Sequence, residues 1–202
     1  MPVFLDDQQV SLEGDDLSQI LASAGRTLED SGRIVVEVHL DGQVLQDAQL
    51  DEQSHQTLGT SEVRLYTARP TEIALEALQG MLPQIDSALG LQSGAADRLR
   101  RDEHGEAMGE LSQAVDIWQQ VQQAVVRSVL LVGIDVEDVS VDSGSARDII
   151  EEMVDELRAV RDVIGDGDFV SLADILEHEW PGYAERWRHL LECLIRRIDE
   201  MD

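Results

Sequence analysis

From Ile73 onward, apolar residues return at steps of three and four, the spacing that gathers them on one face of an α-helix and gives a strand no consistent side to bury. Leu75, Leu78, Leu82, Ile85 and Leu89 form a first stripe, in which Gly80 and Pro83 predict a kink rather than a break. Gly90 to Gly94 is expected to end that helix. A second is expected from about Ala95 to Leu131, with Met108, Leu111, Val115, Trp118, Val125 and Val129 facing inward and a bend near Gly105. Gly133 to Ser145 is an acidic connector holding Asp135, Glu137, Asp138 and Asp142. Ser145, with Asp148 three residues on, is a loose capping box opening a third helix striped by Ala146, Ile150, Met153, Leu157, Val160 and Ile164. Gly165 to Asp168 closes it, and Ser171 with Asp174 opens a short helix to Trp180. Pro181-Gly182 then intervenes before a last helix, from about Tyr183 to Met201, carrying Trp187, Leu190, Leu194 and Ile198. Inward stripes on all of these helices predict an antiparallel α-helical bundle over residues 70–202.

Residues 1–69 have a different grain. A short strand starts at Phe4, and Leu17, Ile20, Leu21, Ala24 and Leu28 mark an amphipathic helix stopped by Ser31-Gly32. Arg33 to Leu40 is rich in β-branched residues and runs into Asp41-Gly42, a hairpin signal, with Gln43 to Leu45 returning. Ser61 to Thr67 alternates apolar and polar residues as a half-buried strand does. The order β, α, β, β, β predicts an α+β unit, most economically a small β-grasp (ubiquitin-like) domain. Pro70 disfavours helix at Arg69 and Thr71 can cap the helix after it, so the boundary is set at 69/70.

Composition narrows the function classes. The chain has 202 residues, 15 basic against 42 acidic, and a net charge of −27. Every basic residue is arginine, so no Schiff base on lysine and no lysine-dependent phosphate loop can form. This charge repels phosphate backbones and anionic head groups, so neither nucleic acid nor membrane is expected as a partner. The lone Cys193 sits in an apolar helical stretch and reads as a small buried hydrophobe. Met1 to Asp7 carries no basic region, so no secretory signal is read there, and the best apolar run, Val125 to Ile134, is short and contains Arg127. A cytoplasmic location is the expectation.

Three segments together resemble an uncharacterised bacterial protein family. They are Leu40-Asp41-Gly42-Gln43-Val44-Leu45, Arg64-Leu65-Tyr66-Thr67 running into a helix at Thr71, and Phe169-Val170-Ser171-Leu172-Ala173-Asp174-Ile175-Leu176-Glu177. The resemblance implies a small N-terminal α+β unit joined to a helical C-terminal region, and it implies no activity.

Chemical motifs are sparse. Asp166, Asp168, Asp174 and Glu177 fall at positions 1, 3, 9 and 12 of a calcium-loop template, but Val170 and Ser171 stand where a ligand and a glycine are required. His178, Glu185 and His189 are the one set with metal-ligand character, and nothing fixes their geometry. No nucleophile elbow is present. Arg98, Arg100 and Arg101, answered by Asp97, Asp102, Glu103 and Glu106, read as a salt-bridged helix face. Trp180, Tyr183 and Trp187, flanked by Arg186 and Arg188, concentrate aromatic residues of the kind that anchor interfaces, although Tyr183 and Trp187 also fall on an inward stripe.

These features predict a non-enzymatic acidic protein-binding module, an adaptor or secretion-chaperone-like protein, with no cofactor. Its partner would bring a basic or amphipathic segment to the helical bundle, with Trp180, Tyr183, Trp187, Arg186 and Arg188 as candidate contacts. The alternative is a metal- or small-ligand-binding protein or enzyme with a site in the helical domain. Self-association of apolar stripes into a homo-oligomer is a third reading.

Overall fold

In a computed structural model, which describes residues 1–141 and 144–201, a small mixed sheet of five strands precedes a mostly helical region, making the chain α+β. It divides into two compact units, Met1–Glu72 and Ile73–Asp202.

The first unit opens with β1 (Val3–Leu5) and β2 (Gln8–Val10), an antiparallel hairpin turned at Asp6 and Asp7, both with positive φ. α1 (Leu17–Leu28) follows, its first turn capped by Asp16, which accepts from the Gln19 amide at 2.8 Å. Next come β3 (Ile34–Leu40) and β4 (Gln43–Val44), joined by Asp41 (φ 50°) and Gly42 (φ 80°), the paired left-handed residues of a type I′ turn. α2 (Asp47–Gln53) and β5 (Val63–Ala68) complete the unit. The sheet order is β2-β1-β5-β3-β4, with β1 parallel to β5 and every other pair antiparallel. Val3, Val38, Val63 and Leu65 pack with Leu17, Ile20 and Ala24 of α1 into one core.

Two elements, β2 and α2, are absent from the sequence expectation. The turn before β2 uses aspartates where glycine would have signalled it, and Gln8-Gln9-Val10 has no apolar alternation. In α2 a single half-buried Leu50 replaces a stripe, and the Gln49 side chain closes the helix start by accepting from the Gln46 amide at 3.0 Å.

Asp6 also ties the sheet. Its carboxylate accepts from the Thr67 amide (2.8 Å) and hydroxyl (2.6 Å), with Arg33 at 3.9 Å. Burial works to raise its pKa, but the Thr67 hydrogen bonds and the Arg33 charge outweigh it and hold the carboxyl below its ordinary value. A depressed folded pKa adds stability above the unfolded aspartate's range and loses it as pH falls through the folded value. Asp6→Asn is therefore expected to flatten the acid side of the stability profile, from the ordinary aspartate range downward, measured by urea unfolding; an unchanged profile would show that the carboxylate contributes nothing.

The second unit is built from α3 (Pro70–Leu99), α4 (His104–Val132), a 3-10 turn (Val136–Asp138), a short ladder of β6 (Ser140–Val141) and β7 (Gly144–Ser145), α5 (Ala146–Asp166), α6 (Phe169–Asp174) and α7 (Trp180–Asp199). Ser145 and Asp148 form the expected capping box, with bonds of 3.1 and 3.2 Å. Asp142 of the expected acidic connector lies outside the described residues.

Two expected breaks are corrected. α3 does not end at Gly90–Gly94 but continues to Leu99, because Ala88, Gln92, Ala95 and Ala96 extend its buried face. Gly94 faces α4 there: a Cβ on it would lie 2.7 Å from the carboxylate end of the Glu110 side chain. The chain turns instead at 100–103, where Asp102 takes φ 62°, so α4 starts at His104 rather than near Ala95. Pro181 does not separate two helices either. A π-turn over Ile175–Glu179 joins α6 to α7, the Trp180 amide donates to the Ile175 carbonyl, and the proline falls in the first turn of α7, directly after that wider turn.

The core of this unit centres on three indoles. Trp118 of α4 meets Trp180 and Trp187 of α7 edge-on, ring centroids 6.1 and 6.3 Å apart, among Leu78, Ile85, Met153, Leu172, Leu176 and Leu190.

Candidate functional site

α4 and α5 carry more apolar surface than the helical core covers. On α4, Leu111 is buried, while Met108 and Val115 on either side of it are only partly so. On α5, Val160 is buried and Leu157 and Ile164 flank it half-exposed. Together these six side chains line a groove of about 360 Å³ between the two helices. Its floor spans about 10 Å along α4, from Met108 to Val115 at ~1.5 Å per residue, which is about two turns of a helix laid into it.

The lips are polar. Ser112, Asp116 and Gln119 stand on α4, and Arg161 on α5. Arg161 is engaged within its own helix, donating twice to one Asp162 oxygen at 2.9 and 2.7 Å. Asp116 has no ion pair among the described residues, so the α4 lip offers an uncompensated carboxylate. α5 as a whole carries seven acidic residues against three arginines. An apolar floor beside a free carboxylate suits a segment that is apolar on one side and cationic on the other.

The residues expected from sequence to contact a partner lie elsewhere and are used internally. Trp180 and Trp187 are 0% and 1% exposed, so they are core residues and present no surface. The Tyr183 hydroxyl donates to Glu156 of α5 at 2.5 Å, and burial together with that carboxylate pushes its pKa up to about 12. Arg186 lies 4.5 Å over the Tyr183 ring and pairs with Glu152 at 2.9 Å. Arg188 reaches Asp86 of α3 at 2.8 Å. Tyr183, Arg186 and Arg188 thus clamp α7 to α5 and α3.

The metal-like sets do not converge. His178 pairs with Glu177 at 3.9 Å and His189 with Glu185 at 4.0 Å, and among the described residues no three His, Cys, Asp or Glu side chains gather as a metal ion requires. Of the calcium-template acids, Asp168 caps α6 by accepting from the Ser171 amide and hydroxyl, while Asp174 and Glu177 hold Arg100. The Arg100 hydrogen bond and charge keep the Glu177 carboxyl below its usual range. A concavity of about 300 Å³ beside them includes Arg100, Asp102, His104 and Phe169, with the His104 ring stacked 4.1 Å from Phe169. Its guanidinium is already surrounded by carboxylates, so the α4–α5 groove is the stronger candidate.

All six groove residues belong to the inward stripes expected from sequence, and burial rather than spacing divides them: Leu111 and Val160 are core residues, and the other four are only partly covered. The α5 stripe runs to six apolar positions, but only Ala146, Met153 and Val160 of these are buried, leaving Ile150, Leu157 and Ile164 in excess. No family model, curated protein or solved structure matches the chain.

Proposed function

We propose that this chain is a non-enzymatic protein-binding module whose α4–α5 groove receives an amphipathic helical segment with a basic flank. The half-covered apolar floor lined by Met108, Leu111, Val115, Leu157, Val160 and Ile164 carries this reading. A helix docking there would insert apolar side chains at i, i+4 and i+7 and set a cation against Asp116. Met108 gives the floor a side chain that adapts to different anchors. The N-terminal unit is, in this reading, a β-grasp domain: the order β2-β1-β5-β3-β4, with a parallel central pair and a helix after the first hairpin, supports it. The helices of the second unit are read as an antiparallel bundle around the three indoles.

The test uses synthetic amphipathic peptides of about 16 residues, roughly four helical turns, with leucines on one face and either arginines or glutamates on the other. The arginine peptide is expected to bind in fluorescence anisotropy and to weaken as salt rises, because the attraction is screened. Asp116→Arg is expected to weaken it a further three- to tenfold or so. Equal binding of the glutamate peptide, or no binding of either, would overturn the reading.

A further inference from the structure

Between Asp116 and Asp135 the chain has no acidic residue, in a sequence where 42 of 202 residues are acidic. That stretch is largely the C-terminal half of α4, and its single charge is Arg127. A depression of about 340 Å³ lies there, with Ile73 and Ala77 of α3 on one side and Ala124 and Leu131 of α4 on the other. Among the described residues its lining holds no carboxylate, whereas the α4–α5 groove carries Asp116 and the concavity beside Arg100 carries Asp102, Asp168 and Asp174. The polar groups of the lining are also unengaged. Arg127 has no ion pair or hydrogen bond among the described residues, whereas Arg98, Arg100, Arg147 and Arg188 are each held by carboxylates. Ser128 is only 3% exposed, and neither its hydroxyl nor the Gln120 and Gln123 amides have a hydrogen-bond partner among the described residues. A buried hydroxyl left without a partner is costly, and an acceptor brought by a ligand would relieve it.

We infer that this depression binds a small amphiphile made of one carboxylate and an aliphatic tail. The unpaired Arg127 selects the head: a guanidinium presents a fork of N–H donors that matches a carboxylate, and one cation in the lining answers one negative charge. Ser128, Gln120 and Gln123 supply further donors beside it. Ile73, Ala77, Ala124 and Leu131 form the apolar surface for the tail. Both parts of the ligand are needed. A chain of net charge −27 repels anions at long range, so a bare anion gains little from one exposed arginine and burial of the tail must add the rest. The volume falls within the ~300–1,000 Å³ usual for small-ligand pockets. The groove residues between Met108 and Gln119 lie on the other half of α4, so this site and the peptide groove stand or fall separately.

The experiment titrates octanoate into the methyl-labelled full chain at constant ionic strength and follows the Ile73 and Leu131 methyl signals by NMR. Both are expected to shift and saturate in the millimolar range or below. Octylamine, which joins the same tail to a cation, and acetate, the head alone, are expected to leave them in place. Arg127→Gln is expected to weaken octanoate at least about threefold, the loss of a charge-assisted contact, with an unchanged circular dichroism spectrum. Arg26→Gln removes the same charge from α1, where Arg26 also has no partner among the described residues, and is expected to bind octanoate as wild type does. Shifts that octylamine or acetate reproduces, binding undiminished in Arg127→Gln, or no saturable shift with octanoate would each overturn the inference. Shifts confined to Met108 and Leu157 would overturn it too, by placing the amphiphile in the groove.

Discussion

Trp187→Ala is expected to destabilise the helical unit by about 3–5 kcal/mol, the cost typical of truncating a fully buried aromatic side chain. The indole is 1% exposed and packs edge-on against Trp118, which also meets Trp180, so its removal leaves a void shared by α4 and α7. Such a loss is a large share of the ~5–15 kcal/mol that holds a domain folded. Urea unfolding followed by far-ultraviolet circular dichroism measures it. A change under about 1 kcal/mol, as is usual for surface substitutions, would mean that the indole sits at the surface and that the aromatic cluster is free to contact a partner after all. The size of the effect also means that binding lost in Trp187→Ala says nothing about a docking face.

Gln92→Met is expected to act in the opposite direction, stabilising the chain by about 1–3 kcal/mol. Gln92 is 0% exposed on the buried face of α3, and among the described residues neither its amide nitrogen nor its amide oxygen has a hydrogen-bond partner. Burying an amide without partners costs its full desolvation, and methionine keeps the unbranched shape while removing both polar atoms. The same unfolding experiment reads the change. A loss of stability would show that the amide is bonded in solution and that the buried face of α3 packs differently there.

The helices were largely legible in sequence because three-and-four spacing reports directly on helical faces. Their ends were less so, since Gly90 and Gly94 look like a stop when read locally. In the structure both glycines lie inside one helix, and Gly94 faces the Glu110 side chain of α4. Pro181 misled in a similar way: a proline ends a helix unless it falls in the first turn of the next, and the π-turn at Ile175–Glu179 that allows this has no local signature. In the N-terminal unit, β2 and α2 were missed because neither carries an apolar pattern.

The site was the least legible part. Periodicity tells which side of a helix is apolar but not whether another helix covers it, so Met108 and Leu157 could not be told apart from Trp118 and Met153. The aromatic cluster drew attention through residue type, and burial assigns Trp180 and Trp187 to the core instead.

Where a basic amphipathic helix binds on this chain can be read residue by residue, by titrating methyl-labelled protein with the arginine-flanked peptide and recording methyl NMR spectra. Shifts are expected on Met108, Leu111, Val115, Leu157, Val160 and Ile164, and not on Val126 or Leu130. Perturbations confined to the five-stranded sheet, or none at saturating peptide, would contradict the proposal that the α4–α5 groove is the binding site.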